Sequence, residues 1–439
     1  MNRASLISFC SLATLAACAP QGGDPSREYG SNPQLPAPQQ FVMPPMRVPL
    51  YVGWKAGETP TVPRGLQIQA VATGFMHPRT VYPLPNGDIL VAEANAPPTV
   101  NFRPKDYVTG PVVNRAGAGA PGGNRITLLR DANGDGKPEL RTVFLDHLNS
   151  PFGITLVGNT LYVADTDAIL AFRYVPGETR ITQPGVQLTD LPAGPIDHHW
   201  TKSLTASPDG SKLYVGVGSN SNITENGIDV EYGRAAIYEV DRLTGAKRIY
   251  ASGLRNPTGV AIEPLTKKLW AIANERDEIG PDLVPDYLTS VKDGGFYGWP
   301  YSYYGQHVDI RVHPQRPDLV AKAIPPDYAL SSHVAPLGLT FSTGQRLAPA
   351  MAYGAFIGEH GSWDRSPLNG YKVVFVPFAN GRPNGPPRTV VSGFVGPDGK
   401  TVHGRPVGVA IDRTGAMLIA DDAGNTVWRV SAARPAPTT

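Results

Sequence analysis

From Leu66 onward the chain alternates short apolar runs with turn signals, and this texture continues almost to its end. Val, Ile, Leu, Tyr and Phe cluster in runs of strand length, bounded by Asn-Gly, Asp-Gly, Gly-Asn or proline. One unit of this pattern recurs. "HPRTVYPLPNGDILVAEA" begins at His77, "SPFGITLVGNTLYVADTD" at Ser150 and "HWTKSLTASPDGSKLYVGVG" at His199. "NPTGVAIEPLTKKLWAIANE" begins at Asn256, "APLGLTFSTGQRLAPAMAYGAFIGEHG" at Ala335 and "RPVGVAIDRTGAMLIADD" at Arg405. Each copy has a polar or proline-led lead-in, a strand, a turn and a second strand. The copies stand roughly 50 to 80 residues apart, a spacing typical of β-propeller blades, and six copies predict an all-β, six-bladed β-propeller. A two-sheet sandwich would also use such strands, but it does not explain the repeated lead-in.

The residues before Leu66 read differently. Residues 1–17 have a basic start at Arg3 and a short apolar run from Leu6 to Leu15, the layout of a signal peptide. The run ends in Leu15-Ala16-Ala17-Cys18, which resembles the bacterial lipobox; that resemblance implies lipidation of Cys18. An ordinary secretory signal with an incidental cysteine is the alternative. Residues 18–63 are rich in Pro, Gln, Ser and Gly and predict a disordered tether. The propeller domain is expected over 64–432, and 433–439 as a disordered tail. The expected location is the periplasm, with the lipid as sole membrane anchor on the outer membrane, or outside the cell.

Composition narrows the chemistry. Glycine (48) and proline (45) are abundant in the 439 residues, which favours frequent turns over long helices. Net charge is +2 with the signs interspersed, so no basic stripe argues for nucleic acid. Only two cysteines occur, Cys10 and Cys18, and Cys10 would leave with the signal. A thiol nucleophile, a thiolate zinc site and a covalent c-type haem are thereby excluded.

In a propeller, the lead-ins to the inner strands converge on one mouth of the central channel. His199, Arg255, Asn256, His333 and Arg405 stand at lead-ins, with His360 and Arg365 just past the fifth hairpin. Several cations and imidazoles at one mouth suit an anionic ligand, with Arg as the forked carboxylate donor and His as a base near neutral pH. A second feature is the acidic loop in "IANERDEIGPDLVPDYL": Glu275, Arg276, Asp277, Gly280 and Asp282 offer carboxylates and turn carbonyls suited to calcium. An acidic surface loop is the alternative there. "DANGDGKPE", Asp131 to Glu139, has a calcium-like spacing, but Thr142 stands where an EF-hand needs Glu.

"SGLRNPTGVAIEP", "NERDEIGPDLVPDYLTSVKDGGFYGWPYSYYG", "HVAPLGLTF", "GAFIGEHGSWDRSPLNGYKVVFVPF" and "GRPVGVAID" together resemble the sorbosone dehydrogenase family. That family belongs to the soluble sugar dehydrogenases that use pyrroloquinoline quinone (PQQ), and the resemblance covers roughly residues 66 to 431. It implies His199 as catalytic base, Arg255 and Asn256 as quinone contacts, and Arg405 as a grip on the cofactor carboxylates. It places the calcium loop at Glu275–Asp282. His333 falls where the group has a threonine, and Val407 where it has a second arginine. His360 and Arg365 occupy the neighbourhood of an absent lysine. The implied reaction moves a sugar hydroxyl proton to His199 and a hydride to PQQ, with Ca²⁺ polarising the acceptor carbonyl and Arg255 stabilising its oxygen. The implied partners are an aldose or sorbosone-type sugar and an external electron acceptor, a periplasmic cytochrome or a membrane quinone. Two other functions compete: a calcium-dependent lactonase on a similar propeller, and a non-enzymatic platform that binds sugar or protein.

Overall fold

The computed structural model describes residues 21–39, 47–97, 115, 119, 121–342, 344 and 347–433. The signal region with Cys10 and Cys18, the tail from 434 and most of the loop 101–123 lie outside the described residues.

Six antiparallel sheets form the six blades expected from the repeat. The first three are led by strands Pro78–Pro83, Gly153–Val157 and Leu204–Ala206, and the last three by Asn256–Ile262, Pro336–Phe341 and Pro406–Ile411. In each sheet the leading strand pairs with the second strand of its hairpin. The ring closes through sequence-distant pairing. Leu66–Thr73 supplies the outer strand of the sixth blade, in register with Thr426–Ala432. This hydrogen-bonded overlap joins the first strand of the ring to the last and leaves no open seam.

Two sequence features explain how the inner strands pack. The first is the glycine of the Pro-x-Gly lead-ins. A Cβ on Gly153 would sit 2.5 Å from Lys202 O, and one on Gly408 would sit 2.6 Å from Arg79 O. Only glycine permits that approach between inner strands at the axis. The second is an acid at the end of several second strands, which holds a lead-in by its backbone N–H. Glu93 accepts from Met76 N at 2.6 Å, Asp165 from Asn149 N at 2.8 Å, and Asp421 from Arg405 N at 2.7 Å. His77 and Ser150, each directly before a proline, follow the residues so held and adopt φ of 55° and 50°; Ala335, also before a proline at φ 50°, donates instead to Asp286 of the neighbouring blade at 2.7 Å. Such backbone conformations persist only when their surroundings over-determine them.

Residues 18–63 were expected to be a disordered tether, and their described part is ordered instead. Tyr29–Gly30 extends the fourth blade by pairing with Leu330–Ala329, and Leu50–Tyr51 runs parallel to Thr401–Val402. Glu28 is buried, accepting from Ser331 Oγ and Ser332 N, each at 2.7 Å. Trp54 packs against Phe394, His403 and Trp428, and donates its Nε1 to Asp421 at 2.7 Å. A few anchors such as these, spaced along polar, proline-rich chain, offset the ordering entropy that composition alone leaves unopposed. Among the described residues no helix is long and apolar enough to cross a membrane.

Candidate active site

The lead-ins gather at one end of the central channel, as the repeat implied. Ala94, Phe152, Trp200, Leu337 and Val407, drawn from five blades, form a small apolar cluster there. The Arg79 guanidinium lies over it, 5.4 Å from the Trp200 ring centre and 5.9 Å from that of Phe152. A cation on an aromatic floor is a favourable arrangement when water is excluded.

His199 enters from the third blade. Its Nδ1 lies 2.9 Å from Ser219 O and 3.0 Å from Ser219 Oγ. A carbonyl can only accept, and the Ser219 hydroxyl donates its own hydrogen to Ser221 O at 2.6 Å. The proton therefore resides on Nδ1, and Nε2 carries the lone pair. Burial, then the neighbouring His198 and Arg255, push the His199 pKa well below 6.5, so the ring is neutral at ordinary pH. His198 packs edge-on against it, ring centres 4.5 Å apart. Gly218 lets His199 approach Asn256, because a Cβ there would collide with Asn256 Oδ1 and the His199 Cβ.

Arg255, only 3% exposed, is committed at every nitrogen. Nε donates to Asn222 O at 3.0 Å, Nη1 to Glu275 O at 2.7 Å, and Nη2 to Asn222 Oδ1 at 3.0 Å and Asp277 Oδ2 at 3.3 Å. Asn256 donates to Asn274 Oδ1 at 3.1 Å, while its own buried Oδ1 has no partner among the described residues. Beyond Arg255 comes His333. Its Nδ1 stands 3.3 Å from Asp277 Oδ1 and 3.2 Å from Asp364 Oδ1, and its Nε2 lies 3.0 Å from Gly280 O. Burial alone would lower its pKa, but the two carboxylates and the carbonyl raise it instead, which makes His333 an imidazolium donating from both nitrogens.

The opposite side of the mouth is built from the fifth, sixth and first blades. His360 Nε2 is 3.0 Å from both oxygens of Asp422, which also pairs with Arg79. Burial and the nearby Arg405 nonetheless lower His360 to about 4. Arg405 donates to His360 O at 3.0 Å and Gly361 O at 2.7 Å, with its guanidinium 5.2 Å from the Tyr371 ring centre. In the first-blade lead-in, His77 Nδ1 and Arg79 Nε are buried without a hydrogen-bond partner among the described residues.

The structure thus brings His199, Arg255, Asn256, His333, His360 and Arg405 to one mouth. It does not bring Arg365. That side chain is fully enclosed, paired with Asp282 at 2.8 Å and Glu28 at 3.2 Å beneath the N-terminal segment, so it is not available to a ligand in the mouth. The expected calcium loop does not assemble as an oxygen shell either. Glu275 accepts from Arg276 N, and Arg276 is an ion-pair partner of Asp309 at 2.5 Å. Gly280 O is taken by His333, and Asp282 by Arg365 and by Gly23 N. Asp277 alone of the five joins a cluster of ligand-type atoms, with His333 and Asp364, all within 4.8 Å of one another. A second such cluster, Asp131, Asp135 and Glu139, lies in the "DANGDGKPE" turn, where its acids accept backbone N–H groups such as Gly134 N and Ala132 N.

Arg79, Asn222, Asp364 and Asp422 are the site residues that reading the chain did not single out. Arg79 follows Pro78 in the first copy of the repeat, and Asp422 ends the last copy, so repeat position marks both. Asp364 lies inside the motif "EHGSWDR". Asn222 has no signal of its own; it is found only through Arg255.

The TrAA12-like family pattern matches residues 122–285 and 317–433. A pyrroloquinoline quinone-dependent sugar dehydrogenase of Hypocrea jecorina is 22% identical over 420 residues, covering 84% of this chain and 88% of its own. The holo PQQ domain of the Coprinopsis cinerea pyranose dehydrogenase superposes with a TM-score of 0.69 at 20% identity, over 85% of this chain and 97% of that domain. The calcium structure of the Trichoderma reesei enzyme of carbohydrate-active family AA12 gives 0.68 at 20% identity, over 85% and 97%. With more than half its length matched by one family pattern, on a propeller with a polar mouth at the expected end, the chain belongs to the TrAA12-like family.

Proposed function

We propose that this protein is a PQQ-dependent oxidoreductase that oxidises an aldose or sorbosone-type sugar at the mouth of the propeller. The observation that carries this reading is His199, neutral, with Nδ1–H held by Ser219 and Nε2 left as the basic atom beside Arg255. PQQ, a planar tricarboxylate, fits the residues present. Arg79 and Arg405 would hold its carboxylates above the Phe152–Trp200 floor, and Arg79 Nε and Asn256 Oδ1, unpartnered among the described residues, offer polar contacts. When bound, PQQ supplies the hydride acceptor.

The chain's own groups do the rest. His199 Nε2 takes the proton of the sugar hydroxyl as C–H cleavage proceeds, while Ser219 O holds the ring in the required tautomer. The imidazolium so formed is disfavoured by Arg255 and His198, so the proton leaves for solvent before the next turnover. Arg255, fixed by Asn222 and Glu275, presents positive charge near oxygen atoms that gain negative charge in the transition state. Calcium fits the folded loop less well. Asp277 and Asp282 are engaged by Arg255, His333 and Arg365, and the charge between Asp277 and Asp364 is supplied by His333.

We also propose, from Leu15-Ala16-Ala17-Cys18, that the mature chain is acylated at Cys18 and works on the periplasmic side of a membrane, passing electrons to a cytochrome or quinone. The test of activity is a titration of metal-free protein with PQQ, with and without Ca²⁺, followed by quinone absorbance and dye reduction across a panel of aldoses. Saturable binding with substrate-driven bleaching supports the reading. Absence of binding in both conditions overturns it.

A further inference from the structure

The N-terminal segment is pinned to the propeller from Gly22 onward, and the place where it is pinned is informative. Gly22 N donates to Ser366 O at 2.7 Å. Gly23 N donates to both oxygens of Asp282, at 3.0 and 2.8 Å, and Gly23 O accepts from Arg365 Nη2 at 2.9 Å. A side chain on Gly22 would collide with the Arg365 guanidinium, so the backbone lies directly on that group. Farther on, Gln39 N donates to Ile279 O at 2.9 Å. Ser366 and Asp282 belong to the loops that follow the second strands of the fifth and fourth blades, Gly354–Glu359 and Leu269–Asn274. These are mouth-side loops, since those strands end beside the lead-ins Pro336 and Asn256.

Only three residues separate Cys18 from Gly22, a span of at most about 14 Å when fully extended. A free linker as long as the composition suggested would leave the propeller in any orientation. A link this short, ending in fixed chain, does not. We infer that in the acylated protein the mouth-side rim of the fourth and fifth blades lies against the bilayer surface, an orientation that rests on the proposed acylation of Cys18. The rim's chemistry suits that neighbour. Trp363, three residues before Ser366, is 42% exposed, whereas Trp200, Trp270, Trp299 and Trp428 are buried. Its carbonyl is bonded to Arg47 N at 2.9 Å, and Arg47 Nη1 donates to Ser366 Oγ at 3.3 Å. An exposed indole beside an arginine is a combination that lipid headgroup layers favour. Sugar then reaches the mouth from the side of the first three blades, away from the lipid.

The mature chain has no cysteine besides Cys18, whose thiol is consumed by acylation, so single-cysteine labelling is specific. Arg27→Cys marks the exposed N-terminal segment near the rim. Leu265→Cys marks the turn at the opposite end of the fourth blade, 62% exposed in the native residue. Each full-length variant, purified from membranes and labelled with bimane, is placed in vesicles of phosphatidylethanolamine and phosphatidylglycerol with nitroxide-bearing lipids. Quenching at position 27 should exceed that at position 265 several-fold. Equal or reversed quenching, in protein whose acyl groups are verified by mass spectrometry, overturns the orientation and leaves the anchor standing. A mass with no acyl group on residue 18 overturns both.

Discussion

His199 and His333 occupy lead-ins of the same ring, and the fold has left the first neutral and made the second a cation. His199 faces Arg255, His198 and Arg234, all of which oppose its protonation. His333 stands between Asp277 and Asp364, with Gly280 O on its far nitrogen. Burial lowers both rings, so the difference lies wholly in the partners. One histidine is thereby kept as a base. The other becomes a fixed cation that holds Asp277, and through it Arg255, in place. His360 is instructive as a third case, since Asp422 touches it but Arg405 and burial outweigh that carboxylate. Counting histidines at a mouth therefore says little about function until the sign of each neighbour is known.

The largest expected effect separates the two directly. His199→Ala should lower the rate of sugar oxidation by about a hundred- to ten-thousand-fold, the usual worth of a positioned base, with PQQ affinity nearly unchanged. Full activity with bound PQQ would remove His199 from the chemistry. Asp277→Asn attacks the other region. It strips one carboxylate from both Arg255 and His333, and a broken buried pair costs about 3 kcal/mol of stability, measurable as a lowered denaturation midpoint. A variant as stable as the parent would mean that these charges are not compensating one another.

The two histidines should also divide the pH axis. For His333 the folded pKa, about 10, exceeds the ordinary 6.5, so its stabilisation is complete below 6.5 and is lost as pH rises through about 10. For His199 the folded value is depressed, so its contribution is present above 6.5 and is lost as pH falls through the lower, folded value. Activity should accordingly stay level as pH drops through 6.5 and decline only further into acid. Thermal melts of His333→Gln should show a flattened alkaline limb and an unaltered acid one. A change confined to the acid limb would reverse the assignment of the two rings.

A smaller effect is expected where the N-terminal segment meets the calcium-like loop. Glu28→Gln keeps the shape but removes the charge from Arg365 and weakens acceptance from Ser331 and Ser332. A loss of about 1–2 kcal/mol should follow, with little change in turnover, because Arg365 is walled off from the mouth. A large drop in PQQ affinity would show that the enclosure of Arg365 matters to the site after all.

That last pair shows where the sequence stops being readable. The propeller was legible because its physics is local: a Pro-x-Gly lead-in, a strand, a turn and a strand repeat within short windows. His199, Arg255 and Arg405 were legible because the repeat places them. Arg365 was not, because its partner Glu28 lies 337 positions away, in a segment whose composition argues for disorder. Asp364 and Asp422 were passed over for a related reason. Each has its effect through a histidine on another strand or another blade, and that pairing exists only once the ring is closed. In the loop Glu275–Asp282 the pairing is hidden the same way: Asp277 and Asp282 look free in the chain and are ion-paired in the fold.

The finest test concerns how His199 is held. Ser219 contributes twice, through its carbonyl at 2.9 Å from Nδ1 and its hydroxyl at 3.0 Å. Ser219→Ala removes only the second. The carbonyl remains and can still accept the Nδ1 proton, so the tautomer with basic Nε2 should survive. What is lost is one lateral restraint, and Ser221 O loses a donor at 2.6 Å. The net cost should be about 0.5–1.5 kcal/mol, felt in turnover more than in the Michaelis constant for sugar, with the acid limb of the pH profile unmoved. If Ser219→Ala instead matches the loss of His199→Ala, the hydroxyl and not the main chain sets the tautomer. The contrast with His333, both of whose nitrogens are held by acceptors, would then turn on a single side-chain oxygen.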